Sequence, residues 1–374
     1  MSFHLYITLA YIIPNVYVFF RVKNLFIGKD FRYKYTLIYL LIVAIYPIAE
    51  RFSEGDSNLF MQVLSTISEY LLPFYLYLFL SVLLFDLFLL LNQLVNIISP
   101  ETRRSYSFRL YTFSAMIILS IVVVIGGAVN LNTIRISQYK VEVPRKQCEI
   151  NHLRIAFAAD IHIQQNTRPR FIEQFVSKIN ILKPDLMLYA GDIVEGDKED
   201  ETSVAIMSNI QKLNAKYGSF GVPGNHEFYG GQEQGSFFQK AGITFLCDTI
   251  VNIDSSFYLA GRYDKHFGLR KGMVEILDGV TFDLPIILMD HRPTEIQEVS
   301  NTAVDVQLSG HTHNGQMFPI NLILSRIYEL SWGYKKIRNT HFFVTSGLRL
   351  WGPPVKTAGK SEIMLIDIYF KKTN

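Results

Sequence analysis

Eight polar residues beyond position 150 have the types and spacing that suit metal binding and acid–base chemistry. Two pairs, Asp160 with His162 and His311 with His313, are two residues apart. In an extended segment, residues i and i+2 leave the backbone on the same side, so both members of a pair can face one site. The full set of candidates is Asp160, His162, Asp192, Asn225, His226, His291, His311 and His313.

The donor types in this set indicate which metals it could bind. Imidazole, carboxylate and amide groups without a thiolate favour Mn, Fe, Zn or Co over Mg or Ca. Without His226, the set offers seven ligands. Seven are too many for one tetrahedral ion, whereas they suit two divalent ions that share a carboxylate. Such a pair can bind two phosphate oxygens and make a bridging water acidic enough to attack phosphorus as hydroxide. The predicted chemistry is therefore hydrolysis of phosphoesters.

His226 suits a different role in that reaction. It follows Asn225 directly and so lies near the metals without obviously being a ligand. As a charged donor it can stabilise the phosphoryl oxygens, and as an acid it can protonate the leaving oxygen.

Each candidate or pair follows a short, continuous apolar run, which is typical of a strand buried on both faces. The carboxyl ends of such strands are where open α/β sheets place their binding crevice. Residues 169–182 and 203–213 lie between the runs and have apolar side chains at helical spacing. This alternation predicts an α/β layered domain, and a more β-rich half follows it.

The first third of the chain is far more apolar than the rest. Spanning a bilayer takes about 20 apolar residues in a helix. Three runs meet that length and a shorter one can be extended, at residues 3–20, 35–48, 59–91 and 110–131. The sequence thus predicts a four-helix transmembrane region at 1–134, a polar linker at 135–149 and a catalytic domain at 150–374.

The charges of the loops predict an orientation in the membrane. Lysine and arginine number five between the first two runs and three between the last two, but one in the remaining loop. Short basic loops stay in the cytoplasm, which places the first and third loops there. With four spans, the chain after the last helix then lies on the other side, so the catalytic domain is expected on the extracytoplasmic side of the inner membrane. The net charge of +3 is too small to suggest a nucleic-acid partner. Two cysteines exclude a disulfide-rich scaffold and a cysteine zinc site.

The order of the motifs carries a family resemblance. Asp-x-His, Gly-Asp, Gly-Asn-His-Glu, a lone His and Gly-His-x-His occur between Asp160 and His313, and this series resembles the calcineurin-like metallophosphoesterases. The form Gly-His-Thr-His-x-Gly-Gln looks most like the membrane-associated bacterial phosphodiesterase branch. Two positions depart from the pattern, with Asn314 where that branch usually has glycine and Glu195 where a second aspartate is common.

The resemblance covers the chain from about residue 150 and implies a four-layer α/β/β/α sandwich with a dinuclear centre. It also implies roles for the candidates by motif position. Asp192 would bridge the two ions, and His226 would be the catalytic histidine that binds neither. One metal would be held by Asp160, His162 and His313, and the other by Asn225, His291 and His311.

The expected function is a membrane-anchored hydrolase of phosphodiester or pyrophosphate bonds, with lipid-linked molecules among the candidate substrates. The alternative is a non-catalytic membrane receptor or sensor whose metal site binds phosphate or a partner. The presence of His226, which metal binding does not need, favours the enzyme. Two apolar segments just after ligand motifs, Phe237–Phe238 and residues 317–324, fit a lipid-facing lip over the site or ordinary core packing.

Overall fold

The computed structural model describes residues 3–52, 58–164, 167–195, 201–229, 234–268 and 270–372. The chain forms two compact units. One comprises Met1–Val129 with Gly352–Thr357, and the other comprises Asn130–Trp351 with Ala358–Asn374.

The first unit is helical. Its helices are α1 (Phe3–Leu25), α2 (Arg32–Phe52), α3 (Leu59–Val95) and α4 (Pro100–Arg104), and α5 (Tyr106–Leu131) leads into the second unit. Within the described residues, three helical segments are long and apolar enough to cross a membrane: Lys29–Ala49, Leu59–Val95 and Tyr106–Leu131. Helix α1 covers the first predicted run. Its role as a fourth span stays a prediction.

One acidic side chain inside the apolar part of α3 has partners within the helical unit. The Oδ2 atom of Asp86 accepts a hydrogen bond of 2.7 Å from Nε of Arg21 and another from the hydroxyl of Tyr17, both on α1. A carboxylate in an apolar helix is costly unless it is paired in this way. The pair therefore joins α1 to α3.

In the second unit, the described strands form two six-stranded sheets. The first sheet has the order β1-β12-β2-β3-β4-β5, and the second has the order β10-β11-β9-β8-β7-β6. The strands of the first sheet are β1 (Ile134–Pro144), β2 (His152–Ala158), β3 (Leu186–Ala190), β4 (Ser219–Val222), β5 (Ile243–Phe245) and β12 (Ser361–Lys371). Those of the second are β6 (Thr249–Ile253), β7 (Phe257–Gly261), β8 (Ile286–Met289), β9 (Val306–Ser309), β10 (Gly333–Ile337) and β11 (Thr340–Val344).

The helices of this unit are short. They are α6 (Pro169–Leu182), α7 (Glu201–Ile210), α8 (Asn225–Tyr229), α9 (Gln234–Lys240), α10 (Met273–Ile276), α11 (Ile296–Val299) and α12 (Ile320–Ile327). Residues of α6, α7 and α9 share a buried cluster with one face of the first sheet. Residues of α10 and α11 share another cluster with one face of the second sheet.

A third buried cluster joins the two sheets and explains why the inner strands contain continuous apolar runs. Ile155 and Phe157 of β2 share it with Leu259 of β7 and Ile287 of β8. Ala156 and Ala158 of β2 belong instead to the cluster with the helices. Since successive strand residues point to opposite faces, a strand with both faces covered must be apolar at every position. The predicted α/β domain with two sheets is confirmed.

The sequence predicts a linker at residues 135–149, and the structure differs there. Ile134–Pro144 form β1, which pairs in parallel with β12 along its whole length. As an edge strand with several exposed side chains, β1 carries polar residues such as Gln138, Lys140 and Glu142. A half-exposed edge strand of this kind has no continuous apolar run to mark it.

Candidate metal centre

The eight candidates lie at the carboxyl ends of five strands. Three of these strands, β2, β3 and β4, are parallel neighbours in the first sheet, and β8 and β9 are parallel neighbours in the second. Asp160 and His162 follow β2, Asp192 follows β3 and Asn225 begins α8 just after β4, whereas His291 follows β8, and His311 and His313 follow β9. The sheets are packed face to face, so these loops converge at one end of the unit.

Asp160, His162 and His313 form one group of facing ligand atoms. Their donor atoms lie within 4.8 Å of one another. Nε2 of His162 is 3.4 Å from Nε2 of His313, which is 3.6 Å from Oδ1 of Asp160. The Nδ1 atom of His162 is 2.6 Å from Oε1 of Glu195, a carboxylate that can only accept. Nδ1 therefore carries the proton, and the lone pair of Nε2 is available to a cation.

Asp192, His291 and His311 form a second group, and Asn225 extends it. The Nδ1 atom of His291 donates to the carbonyl oxygen of Ala190 at 2.8 Å. Its Nε2 atom faces Oδ2 of Asp192 at 3.1 Å, Nδ1 of His311 at 3.2 Å and Oδ1 of Asn225 at 3.3 Å.

The arrangement around His291 is a test of whether a cation fits. One proton on Nε2 can bond well to only one of the three atoms that face it. A divalent ion in place of that proton would satisfy all of them together, as nitrogen and oxygen ligands of this kind do for first-row metals. The donor set therefore fits a metal.

The ionisation of the two groups points the same way. Burial raises the pKa of Asp160 to about 6. Burial acts against ionisation of Asp192 too, yet the adjacent His291 holds its pKa well below the usual value. Burial and the charge of His291 lower the pKa of His311 to about 3. Asp192 thus stays a carboxylate and His311 a neutral imidazole, the forms that bind metals.

His291 shows how strongly this site favours positive charge. Burial lowers the pKa of its imidazole, but Asp192 and Asp160 outweigh that effect and raise the pKa to about 10. The same carboxylates that hold a proton on His291 attract a cation in its place.

His226 stands beside both groups on α8. Its ring centre is 4.8 Å from that of His162, and its Nδ1 atom is 3.5 Å from Oε1 of Glu195. Burial lowers the pKa of its imidazole, so it is neutral near pH 7. His162, Glu195 and His226 also form a third group of potential ligand atoms, but there Glu195 already accepts a hydrogen bond from Nδ1 of His162. Glu195 is thus placed to orient both rings.

Backbone strain is concentrated at these residues. A positive φ is uncommon outside glycine and costs of order 1–3 kcal/mol where it is imposed. Five of the eight candidates have one, with φ between 46° and 71°: Asp160, His162, Asp192, His311 and His313. Gly310 is needed for a related reason, because a Cβ there would lie 2.6 Å from Oδ2 of Asp160. The fold maintains the strain that brings the ligand atoms together.

One residue that supports the site received no role from the sequence. Glu227 is buried, and its carboxylate accepts hydrogen bonds from the backbone N–H groups of Gly224, Asp192, Ile193 and Val194 at 2.6–3.1 Å. It thereby holds the turn that carries Asp192 against the turn that carries Asn225. One feature of the sequence could have indicated this role. Glu227 is the last residue of Gly-Asn-His-Glu, and a turn at this position does not by itself require a glutamate.

A second missed residue, Asp264, is buried next to the second group. Its Oδ2 atom accepts a hydrogen bond of 2.6 Å from Nε of Arg292, the residue after His291, and its Oδ1 atom is 2.9 Å from Nδ1 of His266. No pattern in the sequence around Asp264 marks it, because its partners are distant in the chain.

Comparison with known proteins identifies the family. The family model of calcineurin-like phosphoesterases matches residues 153–315, a stretch that contains all eight candidates. A metallophosphoesterase of Campylobacter jejuni is 27% identical over the whole of this chain and 99% of its own length. One of Aquifex aeolicus is 31% identical over 66% of this chain and 97% of its own length.

A third relative connects the family to membranes. A transmembrane protein with a metallophosphoesterase domain from Danio rerio is 28% identical over 75% of this chain and 69% of its own length. The expected enzyme class is confirmed. The chain belongs to the calcineurin-like metallophosphoesterase family and is a phosphoric ester hydrolase.

Proposed function

We propose that this protein is a membrane-anchored phosphoesterase with two divalent metal ions that hydrolyses phosphodiester or pyrophosphate bonds. The observation that carries the proposal is the presence of two separate groups of facing ligand atoms, with His226 beside them. One group is Asp160, His162 and His313, and the other is Asp192, His291 and His311, with Asn225 next to it.

The proposed ligand roles follow the two groups. Asp160, His162 and His313 hold one ion, and Asn225, His291 and His311 hold the other. Asp192 is the shared carboxylate, which is supported by its proximity to His291 and by the charge interaction between its carboxylate and Asp160. The nitrogen and oxygen donors favour Mn, Fe, Zn or Co. When bound, two such ions draw phosphate oxygens and make water acidic enough to attack near neutral pH.

His226 is the residue that we propose transfers a proton in the reaction. A neutral imidazole at the edge of the site can take a proton from the water that attacks phosphorus and then, as imidazolium, give that proton to the oxygen that leaves. Glu195, 3.5 Å from its Nδ1 atom, favours the tautomer and the ring orientation that this transfer needs. His226 is thus the proposed catalytic residue, and Glu195 a positioning residue.

The membrane parts of the proposal rest on the helical unit. Residues 1–134 are the anchor and residues 150–374, together with β1, the catalytic domain, which we infer to be a four-layer α/β/β/α sandwich. The apolar helices and the transmembrane relative support anchoring. The basic loops favour an extracytoplasmic domain on the inner membrane. An enzyme tethered there would meet phosphoesters of the bilayer, so lipid-linked molecules are proposed substrates.

The test uses the full-length protein in detergent, stripped of metal and reconstituted with Mn²⁺. The parent protein should bind two ions per chain and hydrolyse bis(p-nitrophenyl) phosphate. Asp192→Asn keeps the size of the side chain but removes the charge between the ions, so we expect loss of bound metal and at least a hundredfold loss of turnover. Full turnover and two bound ions in Asp192→Asn would refute the two-metal proposal.

A second variant separates catalysis from metal binding. His226→Asn should retain both ions, because the imidazole is outside both ligand groups, yet lose about 10²- to 10⁴-fold in turnover, the usual contribution of a general acid. Loss of metal in His226→Asn would instead make His226 a ligand. Asp278→Asn, at an exposed position, is the matched control and should behave like the parent.

A further inference from the structure

Helix α12 presents apolar side chains to solvent. None of its residues is buried. Leu322, Ile323 and Ile327 are 54%, 58% and 67% exposed. These three side chains are the apolar face of α12. Single exposed apolar residues are ordinary, but several on one short helix mark an interaction surface. For the other segment, the sequence left a lipid-facing lip and core packing open, and the structure shows core packing, because Phe237 and Phe238 are buried.

This helix is attached rigidly to the loop that carries His313. Only Gln316 to Pro319 separate α12 from the short 3₁₀ turn His313–Gly315. Within that link, the N–H of Ile320 donates to the carbonyl of Met317 at 2.8 Å. The turn and the helix are so close that a Cβ at Gly315 would lie 2.5 Å from the backbone nitrogen of Asn321. The apolar face therefore has a fixed position relative to the candidate metal centre.

The chain connection between the helical unit and this domain is short. Helix α5, which has no charged residue after Arg109, ends at Leu131, and β1 begins at Ile134. Three peptide steps span at most about 10 Å. Gly352–Thr357 belong to the helical unit, so the chain connects the two units a second time.

We propose that the apolar face of α12 inserts into the boundary between lipid headgroups and acyl chains, and that it thereby presents bilayer-borne phosphoesters to the metal centre. A helix with an apolar face and a basic residue such as Arg326 suits that boundary, where it is buried by about 5–10 Å. A bilayer is the proposed partner of this face, because the same chain has apolar helices that suit a membrane and a short connection between those helices and this domain. The activity readout below rests on the proposed function, whereas the insertion readout does not.

Insertion is measured on the full-length protein in liposomes of zwitterionic and anionic lipids. An environment-sensitive fluorophore is attached at Ile323→Cys in a chain whose Cys148 and Cys247 are replaced by alanine. We expect blue-shifted emission and quenching by lipids with a nitroxide on the acyl chain. Val274→Cys, at a position of α10 that is 82% exposed, is the control and should show neither effect.

Two results would overturn the inference at this step. One is a probe at position 323 that stays in water in liposomes. The other is a blue shift that depends on protein concentration in detergent and is insensitive to the lipid quencher, since that identifies a second copy of this chain as the occupant.

The activity readout compares a p-nitrophenyl phosphodiester carried on a lipid with soluble bis(p-nitrophenyl) phosphate. The double variant Ile323→Gln with Ile327→Gln should lose at least tenfold on the lipid substrate and stay within twofold on the soluble one. Val274→Gln should change neither rate. An equal loss on both substrates, or no loss on either, would contradict presentation by α12. If the parent hydrolyses neither substrate while the probe still inserts, the proposed function fails and the docking surface remains.

Discussion

The contact between Glu195 and His162 allows a quantitative test of how the site is oriented. Oε1 of Glu195 is 2.6 Å from Nδ1 of His162, and Oε2 accepts a hydrogen bond of 2.8 Å from Nε2 of Gln164. Both carboxylate oxygens therefore act as acceptors. In Glu195→Gln, one of the two positions becomes an NH₂ group. Turned one way, the NH₂ group faces the Nδ1–H group of His162, so that two donors meet. Turned the other way, it faces Gln164, and the oxygen that accepts from His162 no longer carries a charge.

The size of the effect follows from these contacts. A hydrogen bond to a charged group contributes about 1.5–3 kcal/mol. At about 1.4 kcal/mol per factor of ten, the expected loss is about 10- to 150-fold. The side chain of His162 is fully buried, so water cannot replace the lost acceptor. Because His162 is a proposed ligand, we expect this loss in the affinity for Mn²⁺ and in turnover at limiting metal, as for other residues that orient metal-binding histidines.

The assay titrates metal-free protein with Mn²⁺ and follows phosphodiester hydrolysis. Adding Gln164→Glu to Glu195→Gln exchanges the two groups, so that the new amide at position 195 can accept from His162 and donate to the new carboxylate at position 164. The double variant should recover a large part of the lost metal affinity and turnover. A general disturbance of the fold would not be reversed by the second substitution. Glu329→Gln, an exposed carboxylate, is the control. Metal affinity and turnover within twofold of the parent in Glu195→Gln would refute the reasoning.

Three further predictions concern stability, metal and topology. Glu295 accepts hydrogen bonds from Arg262 and Arg270 at 2.8 and 2.9 Å. Burial opposes ionisation of its carboxyl group, but Lys265 and these arginines outweigh that effect and lower the pKa from 4.5 to about 2. Its carboxylate therefore stabilises the fold above pH 4.5 and ceases to do so as the pH falls towards 2. Glu295→Gln should cost about 1–2 kcal/mol at pH 7, after allowance for partial exposure, and little near pH 2. Denaturation followed by the fluorescence of Trp332 and Trp351 would report this, and an equal cost at both pH values would contradict it. Chelation should abolish hydrolysis and remove about 2.7 kcal/mol of stability for each ion that is supplied at about 100 times its Kd, both restored by Mn²⁺, and an unchanged denaturation midpoint would count against metal in the fold. A reporter fused after the carboxyl terminus should be active outside the cytoplasm, and cytoplasmic activity would reverse the topology.

The sequence was most informative where strands are buried on both faces. Residues 155–158 of β2 and all of β3 and β8 are continuous apolar runs because helices cover one side of their sheet and the other sheet covers the second. Such runs end where a polar residue enters the site. The strand ends, and with them the positions of Asp160, Asp192 and His291, could therefore be located without a structure.

Edge strands and long-range contacts gave no comparable signal. Strands β1, β6 and β10 each have one neighbour and expose part of their length, so their side chains are mixed. The contact of Glu195 with His162 joins residues 33 positions apart, and no local periodicity encodes such a pair. Burial of Phe237 likewise depends on what α9 packs against, whereas α12, which is more apolar in sequence, is exposed.

The parallel pairing of β1 with β12 decides how the catalytic part can be separated from its anchor. Val141 and Val143 of β1 contribute to the core between the sheets, and the strand occupies one side of β12 from Ser361 to Lys371. A fragment that starts at residue 150 would leave eleven residues of an apolar strand with a vacant edge, which is a template for aggregation. A fragment that starts near residue 132 would keep that edge closed. Solubility of the enzyme without its helices therefore depends on the eleven residues of β1, whose sequence looks like that of a linker.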